Sequence, residues 1–418
     1  MTARKHDCIV LGAGIVGVST ACQLQMAGYD VVLIDRQPPG QATSFGNAGL
    51  IQHEAIVPYM MPRDWRTLLT MARNKSTQAH LHYRAVLRLA PWLWRYWRNS
   101  GQRGLTAGAE AHAPLVLRAV AEHESLMAEA GCADMLRRTG YVRLHRDTED
   151  LDADEAEQSR LHDTYGIDFE VKNPDQLEQI EPHLREEFVG GIVLPQVGSI
   201  GDPEALTRAY AKLFAERGGR LETGDARTLS RSTNGSGWQV QNIAGPITAD
   251  HAVIALGPWS GDVLRGLGID VPLAVKRGYH MHFRAGGNAT LNHPLLDVTY
   301  GFAMAPMDRG VRVTTGAEFA FRDARPTPVQ LEQVEAIARQ IFPLAERLDP
   351  EPWMGARPCT PDLIPVIGPV PRHKGLWANF GHHHLGLTLG PVTGRLLAQM
   401  MKQDDLLTDP TPYAITRF

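Results

Sequence analysis

Residues 8–11 form a short apolar run, β-branched at its centre and closed by Gly12, as in a strand buried on both faces of a parallel sheet. GAGIVG follows and opens VSTACQLQMAG, which reads as a helix stopped by Gly28. YDVVLID is a second buried strand that ends on Asp35. Strand, helix and strand fit within about thirty residues, the length of one βαβ unit.

Farther along, the pattern changes. In residues 58–103, Met60, Met61, Trp65, Trp92, Trp94 and Trp97 are interleaved with basic side chains. Helical spacing resumes over 113–130, where Leu115, Val116, Ala119, Val120, His123 and Leu126 share a face. YVRLH at 141–145 predicts a strand, and the acidic stretch 147–160 an exposed helix. The turn-rich GSIGDPE at 198–204 leads into an amphipathic helix over 203–217, closed by Gly218 and Gly219. A strand, a meander turning at Asn234, Gly235 and Gly245, and the apolar HAVIALG follow. Residues 271–320 alternate as in an antiparallel sheet, and the tail from Gly355 carries glycine-rich turns and a helix over 391–402. The order α/β, β-rich, α/β predicts two interleaved domains, which the length of 418 residues accommodates. The boundaries fall at 1–60, 203–265 and 355–418 for the first domain. The second takes 61–202 and 266–354, including a Trp/Arg-rich helical segment at 84–104.

Composition changes this picture little. Hydrophobic residues make up 43% and charged residues 21%, and a net charge of −4 gives no reason to expect nucleic acid. No run of apolar residues is long enough for a membrane-spanning helix. Cys8, Cys22, Cys132 and Cys359 show no CxxC spacing, which argues against a disulfide framework or a zinc site and for a reducing compartment. Arg4 and Lys5 before the first apolar run imitate a signal peptide, but His6 and Asp7 interrupt it and a strand explains it better.

Candidate chemistry begins with Gly12, Gly14 and Gly17. The first permits a tight turn, the second a close backbone approach to a pyrophosphate, and the third close packing of helix on strand. The helix start at Ile15 and Val16 presents unpaired N–H groups to phosphate charge. Asp35, followed by Arg36, ends the second strand where a carboxylate accepts hydrogen bonds from ribose hydroxyls. NAD and FAD share this fingerprint.

TSFGNAG at 43–49, HAVIALGPWS, KRGYHM, GARPCTPDLIPVIG at 355–368 and NFGHHHLGLTLGP at 379–391 occur in that order. Together they resemble segments of the D-amino-acid oxidase superfamily of flavoproteins, and TSFGNAG looks like that of its D-amino-acid dehydrogenases. The resemblance implies an α/β FAD-binding Rossmann-like domain of glutathione-reductase type, interleaved with an α+β substrate domain on an antiparallel sheet. It implies that Ser44, Asn47, Ala48, Gly49 and Leu50 line the diphosphate and flavin, with Ala226, Ala255 and Gly257 nearby. Gly381, His384, Leu385, Gly386, Leu387 and Thr388 would meet the isoalloxazine ring. Arg357 matches the arginine that clamps a substrate carboxylate, a task suited to its planar fork.

With the carboxylate clamped and the amine neutral, hydride transfer from Cα to flavin N5 needs no protein acid or base, so none of the 17 histidines is assigned as one. His382, His383 and His384 are adjacent and cannot all face one ion, so no metal is expected. Tyr279, Tyr300 and His53 are candidates for the pocket wall. Related oxidases carry a tyrosine a few residues before the proline of a strand like FAMAPMDRG, where this chain has Phe302 and Ala303, with Tyr300 slightly earlier. Some sarcosine oxidases attach flavin through a cysteine upstream of a similar T-P-D. Here Cys359 adjoins Thr360, which predicts non-covalent FAD.

Residues 60–104 hold nine Arg or Lys residues against Asp64 alone. Either this segment rests on an anionic bilayer surface, or its tryptophans pack inside the substrate domain. In the first case a membrane quinone is the electron acceptor, and a cytoplasmic protein sits peripherally at the inner face of the cell membrane. The resulting expectation is FAD-dependent oxidation of the Cα–N bond of a D-amino acid, or of a D-proline or D-hydroxyproline type, to an imino acid. The alternatives are an oxygen-using glycine or sarcosine-type oxidase and a flavoprotein subunit of a multi-subunit amine dehydrogenase. A homo-oligomer and accessory subunits are left open as partners.

Overall fold

A computed structural model describes residues 6–185, 187–232 and 235–418. The Arg4–Lys5 stretch and the Asn234 turn lie outside the described residues. The first strand, His6–Leu11, pairs in parallel with Val31–Asp35 on one side and with Gly245–Ile254 on the other. Arg220–Arg231 extends the parallel sheet beyond Val31–Asp35, and Leu376–Phe380 extends it beyond Gly245–Ile254. All four residues Cys8, Ile9, Val10 and Leu11 are fully buried, as a strand covered on both faces requires. Farther along, Arg220–Arg231, Trp238–Asn242 and Gly245–Ile254 pair antiparallel as the expected meander.

The helix Ile15–Met26 packs against the C-terminal helix Gly386–Lys402. Glycine makes the contact close: a Cβ on Gly394 would lie 3.0 Å from the Thr20 backbone. The C-terminal helix begins five residues earlier than the pattern predicted, with Pro391 inside it. Proline cannot donate to the carbonyl four residues back. That carbonyl, Leu387 O, instead accepts from His123 Nε2 at 2.7 Å, and so the helix runs through the proline. Likewise the helical pattern at 113–130 belongs to a longer helix, Gln102–Glu129, that contains Pro114.

The second sheet has eleven strands, and most of its pairings are antiparallel, as expected. Two are parallel: Ala79–Leu81 with Ala317–Phe319, and Tyr141–His145 with Leu295–Asp297. Both join segments far apart in the chain, beyond the reach of local alternation. The long strand Ala274–Ala285 pairs with Trp353–Cys359, so this sheet extends past residue 355. The Trp/Arg-rich segment forms the helix Tyr83–Asn99, and the acidic stretch forms Thr148–Tyr165, capped by the Asp147 side chain.

Candidate active site

A cavity of about 990 Å³ is walled by both sheets, from Asp35 and Arg36 at one end to Arg357 and Lys276 at the other. At the first end Gly12 has φ +107°, and a Cβ there would lie 2.4 Å from Ala255 O. Gly17 does not reach the wall; its Cβ would sit 1.8 Å from Gly12 O, so its absence is what lets the helix approach the turn. The Asp35 carboxylate accepts from Ala13 N–H at 2.7 Å and from Gln37 N–H at 3.0 Å, which fixes it beside the glycine turn. Ser44 Oγ accepts from Ile15 N–H at 2.9 Å, joining the TSFGNAG segment to the helix start.

Gly12, Gly14, Ile15, Val16, Asp35, Arg36, Ser44, Asn47, Ala48, Leu50, Ala226, Ala255, Gly257, His384, Gly386 and Leu387 all lie on the wall. Gly49, Gly381, Leu385 and Thr388 shape it from behind. Gly49 and Gly381 have positive φ, +81° and +85°, and Leu385 caps the C-terminal helix. The Thr388 hydroxyl accepts from Gln52 N–H and donates to Leu50 O. Asn47 Oδ1 accepts from Gly49 N–H at 2.9 Å. The Cβ-free turn at Gly12 and Gly14 and the helix start form a concavity of the kind a dinucleotide diphosphate needs, although the Ile15 N–H, expected to be unpaired, is taken by Ser44 Oγ.

At the far end Arg357 donates to Gly316 O at 2.9 Å and to Thr315 O at 3.1 Å. Among the described residues no carboxylate pairs with it, and burial pushes its pKa below the ordinary value for arginine. Such a cation is incomplete without an anion. The rings of His383 and His384 meet nearby at a tilt of 58°, 4.6 Å between centroids, with their Nδ1 atoms 2.9 Å apart, and the Nε2 atom of each is buried without a hydrogen-bond partner. Burial, then the nearby Arg357 and Lys276, hold His384 down to about 3, so it is neutral. His383 has φ +42°, and its N–H donates to Pro358 O.

Two expectations for the wall need correction. Tyr300 is off the cavity: its ring lies under the Arg146 guanidinium at 5.1 Å, and its N–H is taken by Asp297. His53 is also off the wall, half-buried, with burial lowering its pKa. Tyr279 borders the cavity, but its hydroxyl donates to Glu318 at 2.9 Å and accepts from Thr327 N–H. Lys276, Tyr96 and Cys359 were not assigned to the wall from sequence, yet they lie on it. The visible signal for Lys276 was a lysine two residues before Gly278 in an alternating strand, on the same face as the glycine. Tyr96 and Cys359 reach the site only by tertiary packing.

Two histidine–carboxylate groups lie elsewhere, His80, His82 and Glu318, and His280, His282 and Asp349. Glu318 is bound by Arg277 at 2.6 Å, and Asp349 by His282 at 2.7 Å and Arg309 at 2.8 Å.

The model of the family described as DAO, FAD dependent oxidoreductase, matches residues 7–400. The chain belongs to this family. A D-amino acid dehydrogenase of Granulibacter bethesdensis is 32% identical over 98% of this chain and 99% of its own length. A D-amino-acid oxidase of Bradyrhizobium diazoefficiens is 28% identical over the whole of both chains. The fold is similar to that of glycine oxidase from Geobacillus kaustophilus, with a TM-score of 0.75 at 20% identity over 99% of each chain. Membership makes this an FAD-dependent enzyme, and the glycine turn, Asp35 and the Asn47 loop on the cavity wall are residues that could hold the cofactor.

Proposed function

We propose that the enzyme oxidises the Cα–N bond of an amino acid, either a D-amino acid or a cyclic secondary one of D-proline type, to the imino acid. The observation that carries this reading is Arg357, a half-buried guanidinium without a carboxylate partner among the described residues, on the wall of the cavity that the glycine turn begins. Bound FAD supplies the two-electron acceptor. Arg357 holds the substrate carboxylate, and its hydrogen bonds to Thr315 O and Gly316 O fix the direction of the fork. His384, held neutral by burial, adds no charge of its own at this end of the cavity, and the substrate amine reacts as the free base. The loss of the Cα hydrogen with its electron pair leaves a C=N bond, and water then hydrolyses the imine. Positioning carries the catalysis.

The test is anaerobic bleaching of the flavin band by D- and L-amino acids, sarcosine and proline derivatives. Bleaching by an amino acid with the wild type, weakened in Arg357→Ala, supports the reading; bleaching unchanged in that variant removes Arg357 from it. Bleaching by the purified chain alone also answers whether an accessory subunit is required. Glycine or sarcosine as the preferred substrate, with stoichiometric peroxide, favours the oxygen-using alternative. We take the cofactor as non-covalent because the Cys359 thiol is fully buried with its pKa raised by burial; acid precipitation should release the flavin.

A second reading concerns the electron acceptor. No helix among the described residues is long and apolar enough to cross a membrane. The helices Trp65–Ala72 and Tyr83–Asn99 nevertheless leave Trp65, Leu87 and Trp94 largely exposed, at 67%, 78% and 59%, among arginines, while Trp92 is buried. Exposed aromatic and basic residues on one segment support peripheral binding to anionic lipid and a quinone acceptor. Co-sedimentation with anionic vesicles, lost in Leu87→Ser with Trp94→Ser, is the check.

A further inference from the structure

The far end of the cavity holds two cations, of which the proposed reaction uses one. Lys276 on Ala274–Ala285 and Arg357 on Trp353–Cys359 are direct partners in the antiparallel register, so both side chains leave the same face of the sheet into the cavity. Like charges placed directly opposite repel each other, and burial enlarges that cost. Among the described residues neither has a carboxylate partner.

The Arg357 guanidinium lies over Gly278, where a Cβ would come within 2.6 Å of Nη2, and it is tied to the carbonyls of Thr315 and Gly316. The Lys276 head has different neighbours. Its Nζ donates to the Tyr96 hydroxyl at 2.7 Å and lies 4.0 Å from the centroid of the same ring. Trp92, whose indole N–H donates to Cys359 O, and Phe319 complete the box at 6.0 and 5.8 Å. The Tyr96 hydroxyl in turn donates to Tyr59 O, so it cannot also serve as a charged partner. One neutral hydrogen bond leaves the other donors of the ammonium unmatched by protein anions. Burial, with a smaller contribution from Arg357, holds its pKa down to about 8.

We propose that Lys276 binds a second carboxylate, at the far end of the substrate side chain, so that the preferred substrate is a dicarboxylic amino acid held between Arg357 and Lys276. This rests on the amino-acid oxidation proposed above and narrows its substrate class. The α-carboxylate takes the fixed fork of Arg357, and the distal carboxylate takes the ammonium in the aromatic box. An amide in place of the distal acid offers Lys276 no charge.

The experiment compares anaerobic flavin reduction by both enantiomers of glutamate, glutamine, aspartate and asparagine, in the holoenzyme and in Lys276→Met and Lys276→Arg. Binding is read independently by the shift in melting temperature with glutarate against butyrate. The wild type should favour acid over matching amide by roughly 10- to 100-fold, the range for a hydrogen bond to a charged group. Lys276→Met should bring the acids down toward their amides, so that the ratio falls toward one, and Lys276→Arg should keep it. Glutarate should stabilise the wild type more than butyrate does. If amides or alkyl amino acids react as well as the acids, or if Lys276→Met leaves the ratio unchanged, Lys276 is only a packed cation and this inference falls while the proposed function stands. If no amino acid reduces the flavin, both fall. Should Lys276→Met fail to fold, the wild-type acid-to-amide ratio and the glutarate comparison still decide.

Discussion

A single Cβ decides whether the cofactor turn can exist. Gly12 combines positive φ with a carbonyl 2.4 Å from where a Cβ would be, and Gly17 has one at 1.8 Å. Gly12→Ala should therefore yield protein depleted of FAD, measured by the ratio of flavin to protein absorbance, with a lowered melting temperature. Arg357 is limited by charge rather than space. Replacing it by alanine leaves a substrate carboxylate desolvated and unpaired, which should cost about 2–5 kcal/mol in kcat/KM. Arg357→Lys should recover only part of that, because an ammonium cannot reproduce the fork held by Thr315 O and Gly316 O. These residues were legible in the sequence because glycine at fixed spacing and arginine in a marked motif have few substitutes. Tyr300 was misjudged because the distance from a proline along a strand says nothing about which ring lies under Arg146.

Among the elements, helices that contain proline show how local rules are overridden. Pro391 marked the start of a helix in the sequence, yet the helix starts at Gly386 because His123, on another helix, donates to the carbonyl that the proline leaves free. The other nitrogen of His123 bonds to the Tyr210 hydroxyl at 2.9 Å. His123→Ala should destabilise the protein by about 1–3 kcal/mol, the cost of an unsatisfied buried acceptor, measured by urea unfolding of the holoenzyme. His123→Gln, which retains a donor, should lose less. The apolar face of the Gln102–Glu129 helix was legible from spacing, but the hydrogen-bonding role of His123 was not. Its partner lies 264 residues away.

For the whole molecule, the buried histidines set an acid limit. Burial holds His112 and His123 to about 4, His382 and His384 to about 3, and His280 to about 2, all below the ordinary 6.5. Below pH 6.5 the unfolded chain binds protons at these positions that the folded chain does not, so stability is full above 6.5 and falls as the pH drops toward 4. Melting temperature should therefore decline progressively from pH 7 to pH 5, and His112→Phe, an uncharged ring at one such site, should flatten the slope. By itself the sequence determined the βαβ start, the glycine turn with Asp35 and the arginine proposed to hold the substrate carboxylate, because each depends on contacts within a short segment or on a residue type with no substitute. Tertiary structure alone decided that Lys276 stands beside Arg357, that Tyr96 and Trp92 box it, and that Tyr300 and His53 stay off the wall. Those outcomes depend on strand register and on which distant helix covers the sheet, and a side chain's charge or size does not encode its neighbour across a sheet.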